Sequence, residues 1–83
     1  MRQIATAPDG TALEIVARPA GDCLLYEDGI LVELPLPGTY RTMAEARAAA
    51  RARTADRHRD AGMDSPMQQW RGQLEAMLWR SFP

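Results

Sequence analysis

The chain has 83 residues, of which 46% are hydrophobic and 25% charged, and its formal net charge is −1. This composition is that of a folded globular chain, and the length fits a single small domain spanning residues 1–83 with one modest core. The near-zero net charge excludes a general electrostatic attraction to nucleic acid or membrane. Because the chain holds one cysteine, Cys23, and one histidine, His58, it excludes an internal disulfide and a zinc site with four Cys or His ligands.

Residues 1–40 have the pattern of an antiparallel β-meander. Alternating apolar and polar residues run from Thr11 to Arg18, and residues 23–26 and 30–34 are rich in Leu, Ile, Val and Tyr. Asp28-Gly29 separates the last two of these runs and is typical of a two-residue hairpin turn, because both positions accept a positive φ. We therefore predict three strands, or four if the segment from Arg2 to Ala7 also pairs.

Two C-terminal helices are predicted to follow the meander, which gives an α+β fold. The first spans residues 42–61, because Thr42 and Glu45 form a capping box ahead of an Ala-rich run without a breaker. The second spans residues 65–80, since Ser65 and Gln68 repeat that signal with Pro66 at the first helical position. Its apolar stripe consists of Met67, Trp70, Leu74, Met77 and Leu78.

The predicted core combines the inward positions of the strands with one side of each helix. Its members are Ile4, Leu13, Ile15, Cys23, Leu25, Ile30, Val32, Leu34, Met43, Ala46, Ala50, Trp70, Leu74 and Leu78.

Charge is distributed unevenly along the chain. Residues 1–40 hold two arginines against six acidic residues, a net charge of −4, whereas residues 41–60 hold six arginines against three acids, a net charge of +3. Arg47, Arg51 and His58 fall on one stripe of the first helix. They would contact phosphates if this helix binds nucleic acid, and the alternative is a solvated helix with local pairs such as Arg53–Asp56 and Arg57–Asp60.

The order of elements between Ile15 and Asp56 carries a resemblance. A strand, the turn at 19–22, a hairpin at 24–29, a further strand and the segment from Tyr40 to Ala46 lead into an Ala-rich helix. This half of the chain resembles small bacterial and phage modules that combine a β-meander with a helix, including the arm-type DNA-binding domains of tyrosine integrases. The resemblance implies their fold. Those domains read DNA with a basic sheet, and the sheet segment here has a charge of −4, so their function is not implied.

No catalytic constellation is present in the sequence, so we expect no enzymatic activity, no cofactor and no metal. The first functional hypothesis is a protein-binding module that acts as a small regulator, inhibitor or adaptor, including a phage-encoded inhibitor of a host nucleic-acid machine. Acidic residues of the strands would suit a partner with a basic surface, and aromatic residues near the C-terminus are typical of binding hot spots. The candidate partner-binding residues are Trp79, Phe82, Leu31, Glu27, Asp28 and Glu33.

One sheet face is expected to stay uncovered, since two helices can cover only one side of a small sheet. Val16, Leu31 and either Leu24 or Tyr26 would lie there, and a homodimer, a foreign partner or a folded-back terminus would cover them. The sequence has neither an apolar run of membrane-spanning length nor the apolar run of a signal peptide. We therefore expect a cytoplasmic protein that does not contact the membrane.

Overall fold

The structure, a computed structural model, describes residues 1–33, 38–60 and 72–83. Over these residues the chain forms one antiparallel five-stranded sheet and one long helix, which agrees with the predicted α+β class. The elements are β1 (Arg2–Thr6), β2 (Ala12–Ala17), β3 (Cys23–Glu27), β4 (Ile30–Leu31), α1 (Met43–Asp60) and β5 (Arg80–Phe82). The strands lie in the order β4-β3-β2-β1-β5.

The meander is confirmed, and the segment that begins at Arg2 is its first strand. Asp28 and Gly29 both have positive φ values, 51° and 80°, as the predicted hairpin turn between β3 and β4 requires. Strand β4 is shorter than expected and ends at Leu31. Its ladder with β3 nevertheless continues by one hydrogen bond, in which the amide of Val32 donates to the carbonyl oxygen of Leu25.

The prediction of a helix up to residue 80 is wrong at its C-terminal end. Residues 72–75 are helical, but the chain then straightens, and β5 pairs with β1 so that Phe82 lies opposite Arg2 and Arg80 opposite Ile4. Backbone pairing with the first strand outweighs the helical spacing of the local sequence. The start of this predicted helix, with Met67 and Trp70, lies outside the described residues.

Helix α1 begins as its capping box predicts. The amide of Glu45 donates to Oγ1 of Thr42 over 3.1 Å, and the Glu45 carboxylate accepts from the amide of Arg41 over 3.0 Å. The helix packs on β2 and β3. It buries a stripe of small or polar side chains at intervals of four residues: Ala46, Ala50, Thr54 and His58.

The core lies between this helix stripe and the inward side chains of the central strands. Eight predicted core residues are confirmed as buried: Leu13, Ile15, Cys23, Leu25, Val32, Ala46, Ala50 and Leu74. Ile30 and Leu78 are 71% and 82% exposed, so the prediction is wrong for both: Ile30 lies at the sheet edge, and Leu78 lies in irregular chain before β5. Ile4 and Met43 are half-buried, and Leu34 and Trp70 lie outside the described residues.

Candidate functional site

The two faces of the sheet have different surroundings. Residues paired across an antiparallel ladder point to the same face, so the register assigns every strand residue to one side. Leu13, Ile15 and Leu25 lie on the face that α1 covers. The opposite side, which we call the open face, is not covered by α1, and residues 76–78 border it beside Ile4 and Phe82. Its apolar members are Ile4, Val16, Leu24, Tyr26, Leu31 and Phe82.

The open face is apolar but crossed by one ion pair. Arg2 on β1 bonds to Glu14 on β2 over 3.1 Å, and the Arg2 guanidinium also lies 5.5 Å from the centre of the Phe82 ring. Leu31 is 37% exposed at one end of the face, and Phe82 is 38% exposed at the other. The ion pair separates Ile4 and Phe82 from a larger apolar group of Val16, Leu24, Tyr26 and Leu31. An exposed apolar patch on a small protein marks a binding surface.

Three of the predicted partner-binding residues lie on the open face: Leu31 and Glu33 at the β4 edge and Phe82 at the β5 edge. Trp79 does not join them, because it precedes Arg80 and lies on the helix side, where it packs half-buried against the core. Trp79 is therefore not part of the open face. Strand β5 is the cause, since it brings the C-terminal chain back against β1 and turns alternate residues to opposite faces.

Glu27 belongs to a cluster that joins α1 to the sheet. Its carboxylate bonds to Arg53 over 2.8 Å and also to Arg57, while Arg57 bonds to Asp9 over 2.9 Å. We call Asp9, Glu27, Arg53 and Arg57 the acid–arginine cluster. The Glu27 side chain is 14% exposed, so this candidate partner-binding residue is largely buried in an internal cluster.

The cluster perturbs the ionisation of its carboxyl groups. Burial alone would raise the pKa of Glu27, but the hydrogen bonds from Arg53 and Arg57 outweigh burial and hold it below its ordinary value of 4.5. The pKa of Asp9 is likewise lowered: burial opposes the shift, and hydrogen bonds from Arg57 and Thr11 outweigh it. Both groups are therefore charged at neutral pH and act as internal counter-ions for α1.

Most of the acidic side chains of the sheet form ion pairs within the molecule. Besides the two carboxylates of the cluster, Glu14 pairs with Arg2 and Asp22 with Arg18. Asp28 accepts a hydrogen bond from the amide of Ala12, and Glu33 has no hydrogen bond or ion pair within the described ranges. The acidic segment therefore leaves few charges for a basic partner. The opposite net charges of residues 1–40 and 41–60 were a signal for the acid–arginine cluster. The sequence alone did not show which acid pairs with which arginine.

The arginines of α1 divide between the two edges of the helix. Arg53 and Arg57 reach to the sheet carboxylates, so the predicted local pairs Arg53–Asp56 and Arg57–Asp60 do not form. Arg47 donates to Oε1 of Gln3 over 2.7 Å, and Arg51 makes no ion pair with a described carboxylate. His58 is 3% exposed. The expectation that it lies on the surface is wrong, since it continues the buried stripe of the helix.

Other candidate chemistry is limited in the described part of the chain. Cys23 is buried, as predicted, and burial raises the pKa of its thiol. Among the described residues no group of three His, Cys, Asp or Glu side chains is arranged to hold a metal ion. In the same residues no helix is both long and apolar enough to cross a membrane.

These features define the class as an α+β protein in which one helix covers one face of an antiparallel sheet. No protein-family model, curated protein or solved structure matches the chain. The function is therefore argued from the molecule's own surfaces.

Proposed function

We propose that this protein is a non-enzymatic protein-binding module whose binding surface is the open face of the sheet. The observation that carries the proposal is the one-sided packing of α1, which leaves six apolar side chains of the sheet outside its contact, with Leu31 and Phe82 exposed and the other four half-buried. Burying such side chains is worth about 25 cal/mol for each Å² of apolar surface removed from water. A partner that covers this face would gain most of its affinity from this burial.

The chemistry of the open face favours an apolar partner surface over a basic one. Glu14 is the acid near its centre and is already paired with Arg2. Of the other acidic candidates, Glu27 lies in the acid–arginine cluster, and Asp28 lies in the hairpin turn. The roles of regulator, inhibitor or adaptor, including a phage-encoded inhibitor, all remain compatible with such a surface.

Capture of partner proteins tests this proposal through two neighbouring residues of β4. Leu31 points to the open face, whereas Ile30 points to the other side and is more exposed. We expect a protein that binds the wild-type chain and the Ile30→Glu variant but is lost with Leu31→Glu, measured by quantitative mass spectrometry of tagged chains incubated in lysate of the native host. The two variants add the same charge one residue apart. Equal recovery of every protein by Leu31→Glu and wild type would contradict the proposal.

The alternative function is nucleic-acid binding through α1. Its support is that Arg47 and Arg51 lie on the same edge of the helix and make no ion pair with a described carboxylate. The burial of His58 and the pairing of Arg53 and Arg57 leave this edge with few positive charges, and nucleic-acid affinity rises with the number of phosphate contacts. A gel shift at low salt that is abolished by Arg47→Ala with Arg51→Ala would favour this alternative.

A further inference from the structure

We infer that the partner of the open face is a second copy of this chain, packed face to face with the order of its strands reversed. The inference rests on the proposed function of that face. It is carried by the position of two charges, Arg80 and Glu33, which lie at opposite edges of the face and have no ion-pair partner among the described residues.

Arg80 lies on the open face at the β5 edge. It is opposite Ile4 in the ladder, and its side chain is exposed and makes no ion pair with any residue in the described ranges. The net charge of the open face at this end is therefore positive, since Arg2 on the neighbouring strand is already neutralised by Glu14.

Glu33 gives the other end of the face the opposite charge. The bond from Val32 to Leu25 continues the β3–β4 ladder, which brings Glu33 to the position across from Leu24. Glu33 lines one groove with Leu24, Leu31 and the Arg18–Asp22 pair, and it also borders a second groove at the sheet edge with Ile30 and Arg53. The side chain is exposed and has no ion-pair partner among the described residues.

Such a face is complementary to itself. A twofold axis that runs parallel to the strands, between two facing sheets, lays β4 of one copy over β5 of the other. Arg80 of each copy then lies over Leu31 of the second copy, two residues along the strand from Glu33, an offset of about 7 Å that the long Arg80 side chain can span. At the centre of the interface the two Glu14 carboxylates face each other between the two Arg2 guanidinium groups, and these four charges sum to zero. An axis perpendicular to the strands would instead bring each edge onto itself and oppose like charges.

The size of the face sets the strength of the dimer. The five strands hold 21 residues, and at a spacing of about 4.8 Å between strands and a rise of about 3.3 Å per residue they give a face of about 330 Å² on each copy. A standard protein interface buries about 800 Å² on each partner. The dimer is therefore expected to be weak and to form with increasing concentration.

The test is sedimentation equilibrium of three charge variants between about 10 µM and about 1 mM protein. Arg80→Glu alone and Glu33→Arg alone each place like charges opposite one another at both ends of the dimer. The dissociation constant of either variant homodimer should therefore be about tenfold or more above that of the wild type. An equimolar mixture of the two restores both attractive pairs and should form a heterodimer with wild-type affinity. Asp56→Arg, at an exposed position of α1, changes the charge as Glu33→Arg does and should leave dimerisation unchanged.

The outcomes separate this inference from the proposed function. A wild-type chain that is monomeric at every concentration overturns the dimer, while the capture of a foreign protein through Leu31 would still support the open face. A dimer that persists in Leu31→Glu would show that copies meet elsewhere, which also overturns the inference. A dimer unaffected by Arg80→Glu or Glu33→Arg, or a mixture no tighter than the single variants, would overturn the strand-reversed arrangement.

Discussion

At the residue scale, Glu27 decides how α1 is attached to the sheet. It is one of six acids in the first 40 residues, and the sequence pattern places it at the tip of a hairpin, where carboxylates are usually solvated. In the fold it is largely buried and contacts two arginines of α1. Arg53 and Arg57 are therefore counter-ions of the sheet, and neither points to a charged ligand.

Removing this charge should destabilise the protein. We expect Glu27→Gln to lower the free energy of unfolding by about 1–2 kcal/mol, because hydrogen bonds to charged groups are lost while both arginines remain solvent-accessible. Glu33→Gln makes the same change in net charge at an exposed carboxylate and should change stability by less than about 0.5 kcal/mol. Urea denaturation of dilute protein measures both variants, and equal effects would contradict the assigned role of Glu27.

Residue-scale prediction succeeded where the signal was local. The Asp28-Gly29 turn and the capping box at Thr42 depend on atoms within four residues, and both are present as predicted. The error concerns His58, whose burial depends on strands far away in sequence. The local sequence around such a side chain does not indicate which other element of the fold will cover it.

At the scale of elements, the acid–arginine cluster ties the C-terminal half of α1 to two turns of the sheet. Asp9 lies in the β1–β2 turn and Glu27 at the end of β3, and both bond to Arg57. The attachment is therefore electrostatic at this end of the helix. Around Ala46 and Ala50 the contact is apolar.

Because of this attachment, the stability of the protein should decrease at acid pH. The pKa values of Glu27 and Asp9 are lowered in the fold from 4.5 and 3.8, so the unfolded chain takes up protons first as pH falls. Their contribution is complete above these ordinary values and is lost as pH falls through the lower values of the folded state. We expect the urea midpoint to decrease below about pH 4.5, and to decrease less in a Glu27→Gln, Asp9→Asn double variant. Parallel pH profiles of the two proteins would contradict this account.

Strand β5 is the element that the sequence did not reveal. Residues 80–82 follow a stripe with helical spacing, and the strand is only three residues long. Its pairing partner is β1, and the side chains of Gln3 and Ser81 are hydrogen-bonded across 78 positions of sequence. The local pattern favoured a helix, and only the free edge of β1 provides the reason for a strand. The meander and α1, by contrast, were predictable because each follows from adjacent turns or caps.

At the scale of the whole molecule, the uneven charge of the chain has an internal explanation. The acidic meander and the basic helix neutralise each other across their contact, and this removes most of the charge that had suggested a basic partner or nucleic acid. The surface that stays exposed is the open face, which has one positive charge, Arg80, at one edge and one negative charge, Glu33, at the other. The sequence predicted that one face would stay uncovered and named Leu31 and Phe82. It could not locate the open face's charges, because Arg80 was assigned to a helix.

Hydroxyl-radical footprinting tests most directly whether the open face is the contact surface. Side chains of the wild-type chain are oxidised in dilute solution and again under binding conditions, either at high protein concentration or with a captured partner. We expect Tyr26, Leu31 and Phe82 to become protected, while Ile30, which points to the other side of the sheet, remains as reactive as in dilute solution. Protection of Ile30 or of α1, with Leu31 and Phe82 unchanged, would contradict the central claim that this protein binds through its uncovered sheet.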